Sequence, residues 1–84
     1  MPLSSAQIRA ARALLRWSAE DLARKSFLSV ATIRRAELSE KETSLTVAND
    51  LAVRRALEAA GVEFIDEDGG GPGVRLRKRQ GKKA

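Results

Sequence analysis

The chain has no cysteine, no histidine and no tyrosine, and only one tryptophan, two phenylalanines and two prolines among its 84 residues. Without cysteine there is no disulfide and no thiolate metal site, and without histidine the commonest metal ligand and general base is missing. Acid–base or metal chemistry is left to carboxylates, and no paired set of them stands out. An enzyme, a metal centre and a cofactor site are therefore not expected. No apolar run approaches the ~20 residues that a membrane span needs. The opening Met-Pro-Leu-Ser-Ser lacks the pattern of a signal peptide. A cytoplasmic protein with no membrane partner, and with no room for a small-molecule-binding domain, is the expectation.

What is present suits one small folded domain. Hydrophobic residues make up 43%, the level of an ordinary globule, and a chain of this length builds a core that gains from a partner chain. The net charge of +5 is unevenly divided. Residues 1–35 carry seven basic and two acidic side chains, residues 36–73 carry three and nine, and residues 74–84 carry six basic and no acidic ones. A phosphate backbone attracts the first and last segments and repels the middle one, so the division orients the protein as well as binding it. The alternative is that an acidic patch and a basic tail simply keep a small protein soluble.

Residues 18–37 are the most informative. Ser18 is a good N-cap, and Asp21 three residues later completes a near capping box for a short helix in which Leu22 and Ala23 face inward. Ser29 caps a second helix with Ile33 as its core anchor, leaving Val30, Ala31, Thr32, Arg34 and Arg35 to face outward. Two short helices joined by a tight turn, with a small alanine in the first to allow close crossing, make a helix-turn-helix arrangement. Around it, a helix is expected from about Ala6 to Arg16, with Ile8, Ala11 and Leu15 inward and Arg9, Arg12 and Arg16 forming a basic stripe. Trp17 reads as a core plug under the following turn. Residues 38–45 read as a polar loop. A last helix, from about Thr46 to Ala60, ends at the C′ glycine Gly61 and turns Ala52, Val53, Ala56, Leu57 and Ala60 to the core. Residues 62–65 and 74–77 alternate as strands about a glycine-rich turn. Residues 78–84 read as a disordered basic tail.

From about residue 5 to residue 60 the chain resembles the Cro/CI-type (Xre-family) helix-turn-helix regulators. The resemblance is carried by Gln7-Ile8-Arg9-Ala10-Ala11-Arg12, Trp17-Ser18-Ala19-Glu20-Asp21-Leu22-Ala23, Leu28-Ser29-Val30-Ala31-Thr32-Ile33 and Glu37. It implies a mainly α fold: a bundle of about four helices with a C-terminal β-hairpin, the domain covering residues 5–77. It also implies that Arg12 pairs with Glu37 at the end of the second, recognition helix. Two departures stand out. The family usually places glycine where this chain has Phe27, because the turn is left-handed there. It also commonly has a phosphate-contacting glutamine where this chain has Ala19.

The resemblance implies a sequence-specific DNA-binding transcriptional regulator, most simply a dimeric repressor or controller on an inverted repeat of double-stranded DNA. Val30, Ala31, Thr32, Arg34 and Arg35 are the candidate base readers: arginines suit guanine, and the methyl groups suit thymine. Arg9, Arg12, Ser18, Ser29, Lys41, Arg77, Lys78 and Arg79 are the candidate phosphate contacts. Val47 and Leu51 on the last helix, with Val62, Phe64, Val74 and Leu76 on the strands, are the candidates for a homodimer interface. The alternative is a protein-interaction module, an antitoxin or antiactivator that binds a toxin or another regulator. Phe27, Val47, Leu51 and the acidic middle segment favour it.

Overall fold

The computed structural model describes residues 2–39, 43, 45–66 and 69–77. They form four helices and a two-stranded antiparallel sheet: α1 (Ser5–Leu15), α2 (Ala19–Ser26), α3 (Val30–Leu38), α4 (Val47–Ala59), β1 (Val62–Ile65) and β2 (Gly73–Leu76). The molecule is thus mainly helical with a small C-terminal sheet.

Three of the helices start by the same local rule. An apolar residue precedes a serine N-cap, the serine side chain accepts from the backbone three residues on, and the next residue is again apolar. Ser4 accepts from the Gln7 amide at 3.0 Å, Ser18 from Asp21 at 3.0 Å and Ser29 from Thr32 at 3.1 Å. The flanking pairs Leu3 and Ile8, Trp17 and Leu22, and Leu28 and Ile33 all belong to the core or pack against it, in the positions of a hydrophobic staple. Each start therefore fixes both the helix and the angle at which the chain enters it. At α1 and α2 the third residue also answers back to the cap, making full capping boxes.

The core is formed by Leu3, Ile8, Ala11, Ala19, Leu22, Ala23, Ile33, Ala36, Val53, Leu57 and Val62. α1 packs against α3 and β2, α2 against α3 and α4, and α4 against β1. Polar ties complete the enclosure. The Ser5 hydroxyl donates to the Ala36 carbonyl of α3, and the Leu3 amide donates to the Asp50 carboxylate of α4 at 3.0 Å. The buried Gln7 accepts from the Ser4 amide through its oxygen. Its nitrogen donates to the carbonyls of Ile65 (3.4 Å) and Gly73 (3.2 Å), so one side chain joins α1 to both strands.

The sheet pairs Val62 with Leu76, Glu63 with Arg75, Phe64 with Val74 and Ile65 with Gly73. On one face Val62 is wholly buried and Phe64 and Val74 pack on the core, while on the other Glu63 and Arg75 form an ion pair at 2.6 Å. β2 begins one residue earlier than the alternation suggests. α1 is likewise one residue earlier, because Ser4 rather than Ser5 is its cap. On α4, Val53 and Leu57 are the buried pair and Ala52 and Ala56 are half-buried. Ala60, expected in the core, is the exposed C-cap, and Gly61 beyond it takes φ +108°, the left-handed conformation that lets the chain turn into β1.

The caps carry a pH dependence. Asp21 accepts from the Ser18 amide at 2.8 Å and from Arg24 at 2.9 Å, and these bonds hold its carboxyl below the ordinary 3.8. A carboxyl depressed by folding contributes stability that is fully present above its unfolded value and is lost as the pH falls through its folded one. The expected outcome is a loss of α2 stability setting in below about pH 4 that Asp21→Asn flattens, read from thermal melts between about pH 5 and about pH 2.

Candidate nucleic-acid interface

α2 and α3 are joined by Phe27, Leu28 and Ser29. Phe27 is the C-cap of α2 at φ 62°, ψ 34°, and its ring is 93% exposed. The turn is therefore left-handed at a bulky residue whose ring stands clear of the described residues. A left-handed backbone is disfavoured for a residue with a Cβ by about 1–2 kcal/mol, and glycine relieves this at some cost in unfolded-state entropy. Phe27→Gly is expected to stabilise the fold by about 0.5–1 kcal/mol, raising the melting temperature by about 2–8 °C. No packing is lost with the ring.

The outward face of α3 holds Ala31, Arg34 and Arg35, all exposed. Thr32 is half-exposed, its hydroxyl 2.9 Å from that of Ser29. Val30 does not belong to this face. It is half-buried and packs against the core, because a residue in the first helical turn leans back towards the N-terminus and over the staple beneath it. The two arginines also differ. Arg34 donates to the carboxylate of Glu20 on α2, both side chains being more than half exposed. Arg35 has no hydrogen bond or ion pair among the described residues.

The basic stripe of α1 meets the far end of α3. Arg12 makes a two-pronged ion pair with Glu37, Nε to one carboxylate oxygen and an Nη to the other, each at 2.8 Å. Its second Nη donates to the Trp17 carbonyl at 2.9 Å. The hydrogen bonds with Glu37 raise the Arg12 pKa above its ordinary value. Arg9 donates to the Glu37 carbonyl, one of the last carbonyls of α3, where the helix dipole favours a cation. Both arginines are thus engaged in holding α3 against α1, which leaves Arg12 little to offer a phosphate. Ser18 and Ser29 sit at helix starts with their side-chain oxygens used as caps. Arg77 lies elsewhere: its amide donates to the Gly61 carbonyl and its guanidinium to the Glu58 carbonyl at the end of α4. Lys41, Lys78 and Arg79 lie outside the described residues.

The dimer candidates divide cleanly. Val62 is fully buried, so it is not available to a partner, and Phe64 and Val74 are half-buried on the core. One face of the Phe64 ring is further covered by the Arg54 guanidinium, 5.1 Å from its centre. Val47, Leu51 and Leu76 are exposed. Val47 also lines a cleft of about 240 Å³ with Pro2, Leu45 and Asp50. At this surface the sequence carries no signal for the Glu20–Arg34 pair, or for Leu38, which ends α3 with 82% of its surface exposed.

Among the described residues no helix is long and apolar enough to cross a membrane, and no three His, Cys, Asp or Glu side chains converge as a metal site. No protein-family model matches the chain, and no curated protein matches it significantly.

Proposed function

We propose that this protein is a helix-turn-helix DNA-binding regulator of the Cro/CI type that docks α3 in the major groove and acts as a homodimer on an inverted repeat. The observation that carries this reading is Arg35. Its guanidinium stands exposed on α3 with no partner among the described residues, one helical turn from the exposed Ala31. That combination offers a two-pronged donor for guanine beside a small apolar contact for a thymine methyl. The short capped helices on either side of a left-handed turn, and the binding of both ends of α3 to the rest of the domain, supply the rigidity that base reading requires. The exposed Val47 and Leu51, continuous with the cleft beside Pro2, are the surface on which a second copy would sit. Such a copy would set the second recognition helix about one turn of DNA away.

The test is an unbiased selection from sheared genomic DNA of the source at about 150 mM salt, with Arg34→Ala/Arg35→Ala as control and sedimentation of the same samples. The expected result is a few enriched fragments sharing an inverted repeat, lost in the double variant, with the protein sedimenting as a dimer. Diffuse retention that the variant leaves unchanged overturns the reading. It would favour the alternative, a protein-binding module, which the exposed Phe27 and Leu38 support by offering apolar surface beside the same helix.

A further inference from the structure

We infer that Glu20 is a selectivity-setting residue of the α2–α3 surface: by holding the Arg34 guanidinium, it withdraws one cation from indiscriminate phosphate binding. The inference rests on the DNA-binding reading above and assigns a role within it to a carboxylate that makes no other hydrogen bond among the described residues.

The first turn of α2 carries two carboxylates, Glu20 and Asp21. That end of a helix is a natural place for a phosphate, because free amides and the dipole favour an anion there. Asp21 occupies itself with its own helix, accepting from the Ser18 amide and from Arg24. Glu20 caps nothing. Its carboxylate reaches across to α3, 14 residues along the chain, and accepts from Arg34. The charge of Glu20 also reaches Arg12, but Arg12 is already committed to Glu37 through two bonds. Arg34 is therefore the cation that Glu20 controls.

Neighbouring residues on a helix point about 100° apart, so Arg34 and Arg35 address different surroundings even before pairing. The pair sharpens the difference. An exposed ion pair is weak in water and does not lock Arg34. It gains strength where a closing interface removes water. Against random DNA, bound through phosphates alone, Glu20 neutralises one cation and repels the backbone. Against the cognate site, where the closing interface removes water, a guanidinium backed by a carboxylate is turned and steadied for a planar acceptor. The carboxylate thus weakens the wrong complexes more than the right one, which is how specificity is gained from a repulsive element.

The experiment uses the full chain as wild type, Glu20→Gln, Arg34→Ala and the double variant. Each is titrated with an enriched genomic fragment and with a random-sequence duplex of the same length over a salt series. Releasing Arg34 to one further phosphate steepens the salt slope by about 0.9, worth about five-fold at about 150 mM. The expected result is that Glu20→Gln tightens random binding by about that factor, with the steeper slope, while binding to the enriched fragment changes by less than about two-fold. In the Arg34→Ala background the same change is expected to do little. The inference is overturned if Glu20→Gln shifts both duplexes equally, if it leaves random binding and slope unchanged, or if its full effect persists without Arg34. In that last case Glu20 acts as a bare charge. Glu20→Ala, with helix content followed by circular dichroism, repeats the measurement should the glutamine variant lose structure. A wild-type chain that holds both duplexes alike overturns the reading as a site-specific regulator itself, an outcome separable from the rest because it needs no variant.

Discussion

Glu37→Ala is expected to lower the melting temperature by about 10–20 °C, the largest single-residue effect outside the apolar core. The Glu37 side chain is 9% exposed and that of Arg12 24%, so removing the carboxylate strands a guanidinium that has been largely taken out of water. Fully buried pairs broken in this way lose about 3–5 kcal/mol. The partial exposure of Arg12 lets water soften the loss to about 2–3 kcal/mol, which in a domain of this size corresponds to the temperature shift above. The net value of the pair is much smaller than the cost of breaking it. Arg12→Met/Glu37→Leu is therefore expected to recover most of the loss. Calorimetric melts of the two single variants and the double variant check both statements. Recovery in the double variant separates a stranded charge from a general packing defect.

The second large effect is on binding. Arg35→Glu is expected to reduce affinity for the enriched DNA site by more than about 100-fold while leaving the melting temperature within about 2 °C of wild type. Loss of a two-pronged contact to guanine alone is worth about 1–3 kcal/mol. The reversed charge adds repulsion from the backbone, and among the described residues Arg35 makes no hydrogen bond or ion pair whose loss would unfold the domain. Arg35→Ala is expected to fall between, at about 5–150-fold. Fluorescence anisotropy at fixed salt, with melts on the same samples, provides the measurement. If Arg35→Glu binds the site as wild type does, α3 is not the reading element.

What was legible in the sequence is largely what is local. Ser18 with Asp21, and Ser29, announced the starts of α2 and α3 because a cap acts over three residues and needs no knowledge of the fold. The Ser4–Gln7 box obeys the same rule. It is harder to see because two serines stand side by side, Ser4 and Ser5, and either could open the helix. The staple positions, Leu3 with Ile8, are the signal that selects Ser4. The Arg12–Glu37 pair came from resemblance, since 25 residues separate the partners and nothing in either neighbourhood points to the other. The Glu20–Arg34 pair had neither resemblance nor spacing to reveal it, because it exists only once α2 and α3 have crossed. Val30 is turned inward because 100° per residue sets it about 60° from Ile33 and about 20° from Glu37, both buried, an angle that its place directly after the cap obscures. Val62 was offered to a dimer because strand alternation tells which residues share a face, and not which face a helix will cover.

The bond from Gln7 to the two strands has a consequence for how the protein is made. Its buried amide takes partners from residues 65 and 73, the second 66 positions downstream. A ribosome adding about 5–20 residues per second needs roughly 3–13 seconds to travel that distance. Until then α1 has emerged without the strand that completes its surroundings, and a buried amide left without acceptors costs about 1–3 kcal/mol. Nascent chains arrested upstream of Gly73 are thus held short of the native state, and β2 is the strand whose arrival lets α1 settle.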